Sequence, residues 1–213
     1  MGLFDTNNDS EKLQIGPASW WLRGFAFQCE AALMVALREI FAAAPPREMV
    51  TPGGQKMSVR TTSCGQLGWV SDRKGYRYET RDPVSSTPWP AMPDAFSSLA
   101  TAAAGAAGFA AFEPDACLIN QFSPGAKMGL HQDKDERDFS QPIVSVSLGL
   151  PATFLFSGLR RGDKALRMEL QHGDVVVWGG EDRMRYHGVL PVQPGLHPQT
   201  GDCRINLTFR KAG

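Results

Sequence analysis

Polar and apolar side chains alternate most sharply near the end of the chain. In Arg204-Ile-Asn-Leu-Thr-Phe-Arg210, residues Arg204, Asn206, Thr208 and Arg210 share one side of an extended segment, while Ile205, Leu207 and Phe209 share the other. Beyond Pro114 the same texture recurs, and strands are predicted over 116–122, 143–150, 153–156, 166–170, 174–178, 186–192 and 204–210. Short connections rich in Gly, Pro or Asp separate them, among them Ser157-Gly158, His172-Gly-Asp174 and Gly179-Gly180. Strands at this spacing predict a sandwich or barrel rather than alternating β-α-β units.

The first half has a different period. Phe27, Ala31, Met34, Leu37, Ile40 and Phe41 recur at helical spacing, predicting a helix over 26–44 that Pro45-Pro46 stops. A second helix is expected from Asp94, read as its cap, through Phe96, Leu99 and Ala103 toward Gly108. The alanines of 102–111 suggest close packing on a neighbour. Extended segments are expected over 18–23, 57–63 and 65–70, with a turn at Thr51-Pro-Gly-Gly54; residues 1–15 read as a loose leader. The Pro/Ser-rich stretch 83–93 can only be a connector. The fold expected is mostly β with flanking helices (α+β), an N-terminal α/β portion packed on a C-terminal jelly roll in one domain.

Composition narrows the function. The 213 residues carry 22 Lys+Arg against 22 Asp+Glu, so no global field draws a polyanion, and a nucleic-acid partner would need a local patch. Cys29, Cys64, Cys117 and Cys203 are scattered without a Cys-x-x-Cys pair, which reads as reduced cysteines packed as small apolar residues. The polar N-terminus does not resemble a signal peptide, and no apolar run approaches the ~20 residues needed to span a bilayer. A cytoplasmic protein with no membrane partner is expected.

Candidate chemistry starts at Leu130-His-Gln-Asp-Lys-Asp135. His131 and Asp133 lie two apart, so an extended backbone turns both to one side, and His187 is the best third ligand. Two His and one carboxylate leave open positions at a metal, the arrangement of non-haem Fe(II) oxygenases. A lone His-x-Asp is weak evidence. The alternating strand 204–210 strengthens it, because Arg204 and Arg210 with Asn206 between them could hold a dicarboxylate such as 2-oxoglutarate. A solvent-facing sandwich strand would show the same alternation. Asn120 shares a face with Leu118 and Phe122 and could add a hydrogen bond, although a capping Asn is the default. His172 and His197 are expected to be exposed and uninvolved. Trp69, Tyr76 and Tyr78 are interleaved with Arg73, Lys74 and Arg77, which reads either as a solvated hairpin or as a lid that stacks a flat ligand.

Six blocks in order carry a resemblance: Met49-Val-Thr-Pro-Gly-Gly54, Leu130 to Asp135, Pro142 to Leu150, Gly173-Asp-Val-Val-Val-Trp-Gly-Gly180, Tyr186-His-Gly188 and Arg204 to Arg210. Together they resemble the bacterial AlkB family of Fe(II)- and 2-oxoglutarate-dependent dioxygenases, which repair alkylated nucleic acid. The similarity runs from about Gly16 to the C-terminus. It implies a single domain over 16–213, with a double-stranded β-helix (jelly roll) core at about 115–213 and a nucleotide-recognition lid at about 45–93.

The resemblance also implies roles. His131, Asp133 and His187 would bind Fe(II). Arg204 would meet the distal carboxylate of 2-oxoglutarate, and Arg210 and Asn206 its 1-carboxylate end, with Asn120, Phe122 and Thr208 lining the same pocket. Trp69, Tyr76 and Tyr78 would form the base pocket, and Asp135 and Arg161 would recognise or position the base. Nearby Arg73, Lys74, Arg77, Lys127, Lys134, Arg160 and Arg161 would meet phosphates. The reaction implied is oxidative demethylation of 1-methyladenine- or 3-methylcytosine-type lesions, using O2 and releasing formaldehyde. The partners implied are alkylated single- or double-stranded DNA, with RNA a further substrate, and a monomer suffices. Phe122 departs from the family's usual Tyr, so altered affinity or turnover is expected without loss of chemistry. The rivals are a dioxygenase of a small molecule or protein, a zinc barrel, and a non-catalytic jelly-roll binding module.

Overall fold

The computed structural model describes residues 11–213. Its N-terminal part runs β1 (Lys12–Gly16), β2 (Ser19–Leu22), α1 (Glu30–Ala43), β3 (Arg47–Val50), β4 (Lys56–Gly65), the hairpin β5 (Gly68–Asp72) and β6 (Gly75–Glu79), and α2 (Asp94–Ala106). The C-terminal part adds β7 (Ala116–Phe122), β8 (Met128–His131), β9 (Ile143–Gly149), β10 (Ala152–Phe156), β11 (Leu166–Leu170), β12 (Val175–Trp178), β13 (His187–Val189) and β14 (Arg204–Arg210). An eight-stranded sheet is ordered β1-β2-β12-β9-β14-β7-β4-β3, and a four-stranded sheet β11-β10-β13-β8 faces it.

Two apolar layers follow from strand alternation. Phe122, Ile143, Phe154, Phe156, Met168, Val176 and Trp178 fill the space between the sheets. On the outer face of the large sheet, Val144, Val146, Ile205, Leu207 and Phe209 meet Leu33, Leu37, Phe96 and Leu99 of the helices. The alanine run is buried only in part: Ala103, Ala104 and Ala107 join Ala100 in the core and bring α2 close to its neighbours, while Ala106, Ala110 and Ala111 are exposed. All four cysteines are free and buried. No helix among the described residues is long and apolar enough to cross a membrane.

Each strand predicted beyond Pro114 is present, and β14 is central. It pairs with β7 along its whole length and with β9 from Arg204 to Phe209, so its polar face looks into the interior instead of solvent. Several expectations change. Residues 1–10 lie outside the described part, and the expected leader gives way at Lys12 to β1, which pairs with β2 at the sheet edge. Asp94 is the first residue of α2, after Pro93, and makes no capping bond. Within 45–93, β3 and β4 extend the large sheet through the β4–β7 pairing, leaving β5–β6 as a separate two-stranded sheet. Strand β8 is additional to the strands predicted. The Tyr186 segment narrows to β13, of which His187 is the first residue.

Candidate active site

β8 and β13 are antiparallel neighbours with His131 opposite His187, and the two ring centroids are 4.4 Å apart. A Cβ at Gly188 would sit 2.8 Å from the Met128 carbonyl oxygen, so only glycine lets these strands approach at this point. Asp133 does not extend β8; it belongs to the irregular loop that follows. Its Oδ1 lies 3.6 Å from His131 Nε2 and 3.7 Å from His187 Nε2. One potential ligand atom from each of the three residues falls within 4.8 Å of the others.

Hydrogen bonds select the tautomers. His131 Nδ1 faces the Gly129 carbonyl at 2.9 Å and His187 Nδ1 faces the Arg185 carbonyl at 3.1 Å. A carbonyl only accepts, so each Nδ1 carries the proton and each Nε2 turns a lone pair toward Asp133. Burial pushes the His187 imidazole down to about 4, an effect strengthened by His131. Asp133 is also buried, which alone would raise it. Arg210 and both imidazoles outweigh that burial and hold the carboxyl well below the usual carboxylate range. Two imidazole nitrogens beside an ionised carboxylate are the donor set a divalent iron requires, and the residues present fit it.

The polar face of β14 and the Leu118/Asn120/Phe122 face of β7 line a cavity of about 410 Å³ together with this triad. Arg204 is 1% exposed. Its Nη2 donates to Ser147 Oγ at 2.9 Å, while among the described residues Nε and Nη1 find no partner and Asn120 Oδ1 finds none either. Burial with no counter-charge lowers its guanidinium to about 10. A guanidinium buried with idle donors is costly, and a bound carboxylate removes the cost. The Phe122 ring lies 5.1 Å from it, contributing a π face where a Tyr would add a hydroxyl.

The other β14 groups also border the cavity, and each is engaged within the protein. Asn206 Nδ2 donates to Ser145 Oγ and the Val146 carbonyl, and its Oδ1 accepts from Thr208 Oγ1, which leaves no amide hydrogen for a ligand. Arg210 binds Asp133 Oδ2 through Nη2 at 2.6 Å and Nε at 3.0 Å, so it backs a metal-facing carboxylate. Two residues that the sequence did not single out complete this end. Arg183 donates to the Asp133 carbonyl at 2.8 Å, the Gln141 carbonyl and Glu136. Glu136 accepts from the Tyr78 hydroxyl at 2.7 Å. Neither carries a periodic signal, because Glu136 lies in the irregular loop after β8 and Arg183 in the short turn that follows β12.

The hairpin brings Trp69 and Tyr76 into a parallel stack at 5.6 Å, with Tyr76 48% exposed. Trp69 Nε1 donates to Asp135 Oδ2 at 2.9 Å, and Arg161 lies 5.4 Å over the Tyr186 ring. Trp69, Tyr76, Tyr78, Asp135 and Arg161 all border the cavity. Arg73, Lys74, Lys127, Lys134, Arg160 and Arg161 are exposed. Arg77 is not free to meet a phosphate, because Asp72 and Glu79 pair with it inside the hairpin. Contrary to expectation, His172 is mostly buried: it accepts from the Gly149 amide, meets Glu30 and stacks on His197 at 4.3 Å.

Comparisons with known proteins agree with this geometry. Residues 20–210 match the 2OG-Fe(II) oxygenase superfamily. The alpha-ketoglutarate-dependent dioxygenase AlkB of Escherichia coli is 57% identical over 192 residues, covering 90% of this chain and 89% of that one. AlkB of Salmonella typhimurium is 56% identical over 198 residues, covering 93% and 92%. Among solved structures, OsALKBH1 superposes with a TM-score of 0.80 at 28% identity over 94% of this chain and 99% of that one. With the His-Asp-His triad, the buried arginine and the near full-length identity in agreement, the chain belongs to the 2OG-Fe(II) oxygenase superfamily and, within it, to the AlkB family.

Proposed function

We propose that this protein is an Fe(II)- and 2-oxoglutarate-dependent dioxygenase that repairs N-alkylated nucleobases, of the 1-methyladenine and 3-methylcytosine type, in DNA and also in RNA. The observation that carries this reading is one cavity bordered by the metal triad, the buried Arg204 with its idle Nε and Nη1, and the stacked hairpin aromatics. Bound at the triad, Fe(II) with 2-oxoglutarate and O2 supplies an oxidant for an N-methyl C–H bond while the co-substrate becomes succinate and CO2.

The chain's own side chains do the rest. His131 Nε2, His187 Nε2 and Asp133 Oδ1 hold the metal. Arg204 pairs with the distal carboxylate of 2-oxoglutarate through its idle N–H groups. Trp69 and Tyr76 offer flat faces to an unstacked base, and a ring-methylated base is cationic, so cation–π attraction adds about 0.5–2 kcal/mol. Asp135 spends one carboxylate oxygen on Trp69 and keeps the other for the base. The β5–β6 hairpin acts as a lid that excludes water during oxidation. Exposed Lys127, Lys134, Arg160 and Arg161 meet phosphates, which gives a locally basic rim on a neutral protein. Hydroxylation of the methyl group leaves an N-hydroxymethyl base, which releases formaldehyde as the ring nitrogen recovers its normal state.

The test is to admit O2 to protein loaded anaerobically with Fe(II) and 2-oxoglutarate, with methylated or unmethylated oligonucleotide. Succinate and formaldehyde that require the methylated base support repair. Succinate formed only with a small molecule or peptide moves the substrate elsewhere, and no succinate under any condition overturns the oxygenase reading.

A further inference from the structure

Beside the metal-facing side chains lies a buried cluster of charges that the steps above leave unused. Glu136 Oε1 accepts from the Tyr78 hydroxyl at 2.7 Å and lies 3.2 Å from Arg210 Nε, while Oε2 accepts from Arg183 Nη2 at 3.0 Å. The three donors come from three parts of the fold. Tyr78 is in β6 of the hairpin, Arg210 ends the central strand, and Arg183 lies four residues before His187. Arg210 is at the same time bound to Asp133 Oδ2, and Arg183 to the Asp133 backbone carbonyl. One carboxylate therefore joins the hairpin over the base to the guanidinium that backs a metal ligand.

A buried carboxylate depends on charge-assisted bonds, and a donor withdrawn from it shifts its share of the interaction to those that remain. Without the Tyr78 hydroxyl, Glu136 competes more strongly with Asp133 for Arg210. With it, Glu136 is satisfied by Tyr78 and Arg183, and Arg210 is left to orient Asp133 and face the co-substrate end of the cavity.

We propose that Glu136 is a positioning residue through which the hairpin and the Arg210 end of the cavity sense each other's occupancy, with the Tyr78 hydroxyl as the contact that transmits it. A base held under the hairpin favours the Tyr78–Glu136 bond and so favours 2-oxoglutarate, and 2-oxoglutarate favours the seated hairpin in return. Such coupling is reciprocal by thermodynamic necessity. The inference rests on the dioxygenase reading, since it takes 2-oxoglutarate and a methylated base as the two ligands.

The experiment is calorimetry on the full chain loaded with redox-inert Mn(II). 2-Oxoglutarate and a short oligonucleotide containing 1-methyladenine are each titrated with and without the other. In the wild type each ligand tightens the other at least about fivefold. Tyr78→Phe keeps the ring and removes only the donor; the coupling factor falls to within about twofold of one. Each variant's coupling factor is taken against its own separate affinities, and in a Glu136→Gln background Tyr78→Phe adds nothing further to it. A structural role alone would lower the melting temperature and weaken both ligands with the coupling factor intact, which overturns the proposal. Binding of both ligands without mutual tightening in the wild type also overturns it and leaves the dioxygenase reading standing. Absence of 2-oxoglutarate binding overturns both.

Discussion

Arg210 places Nη2 2.6 Å from Asp133 Oδ2, so the carboxylate that turns Oδ1 toward two imidazoles is gripped from behind by a guanidinium. Both side chains are buried, and Arg210 also meets Glu136. The pair keeps Asp133 ionised and fixes which oxygen faces the metal. Arg210→Met leaves two buried carboxylates short of a counter-charge. The expected outcome is a loss of about 3–5 kcal/mol of stability. Metal affinity is expected to fall about 10–100-fold. Urea denaturation and Co(II) titration measure the two effects, and unchanged Co(II) affinity would contradict the role given to Arg210.

Arg204 presents the opposite case, since its Nε and Nη1 have no partner among the described residues. Arg204→Met removes a buried guanidinium that lies over the Phe122 ring and has no carboxylate beside it among the described residues. Stability in the absence of 2-oxoglutarate is expected to be unchanged or higher, while 2-oxoglutarate affinity falls about 10–100-fold through loss of charged hydrogen bonds. Thermal melting and calorimetry on Mn(II)-loaded protein separate the two. A melting temperature several degrees below wild type would show that Arg204 is structural.

The alternation of 204–210 made one face of β14 legible as polar, because a strand's period of two is written locally. Its central place was not legible, since pairing with β7 and β9 is a long-range matter that an edge strand would share in pattern. The spacing of His131 and Asp133 points to the site, but extended backbone is not what aligns them: β8 ends at His131, and Asp133 is held in the loop beyond it by Arg183 and by Arg210 of β14. Glu136 and Arg183 look like any surface charges until the fold buries them. His172 misled for the same reason, because a His-Gly-Asp turn normally points to solvent and here tucks under the end of β9.

That burial has a pH consequence. Burial, reinforced by His197 and opposed by Glu30, lowers the His172 imidazole below its ordinary 6.5. Its Nδ1 accepts the Gly149 amide proton, so the folded state favours the neutral ring. The contribution is complete above the ordinary value and is lost as pH falls toward the lowered one. In His172→Gln, whose amide can still accept from Gly149 and donate to Glu30, metal-free stability should fall less between about pH 7.5 and 5.5. His187 is present in both proteins and cancels in the comparison. Denaturation curves at the two pH values decide it, and equal losses in the two proteins would remove His172 from the account.

Trp69 and His131 border the same cavity but serve different ligands, which gives a partition that kinetics can read. Trp69 stacks on Tyr76 and donates to Asp135, and none of its bonds reaches the triad. Trp69→Ala should raise KM for a methylated oligonucleotide about 5–150-fold, since stacking one base is worth about 1–3 kcal/mol. It should leave Mn(II) affinity alone. Trp69→Phe keeps a ring but loses the N–H bond to Asp135, and its KM should fall between those of wild type and Trp69→Ala. His131→Ala removes one of three ligand atoms and should abolish turnover together with tight metal binding. If Trp69→Ala lost Mn(II) as completely as His131→Ala, the hairpin would be part of the metal site, and assigning it to the base would be wrong.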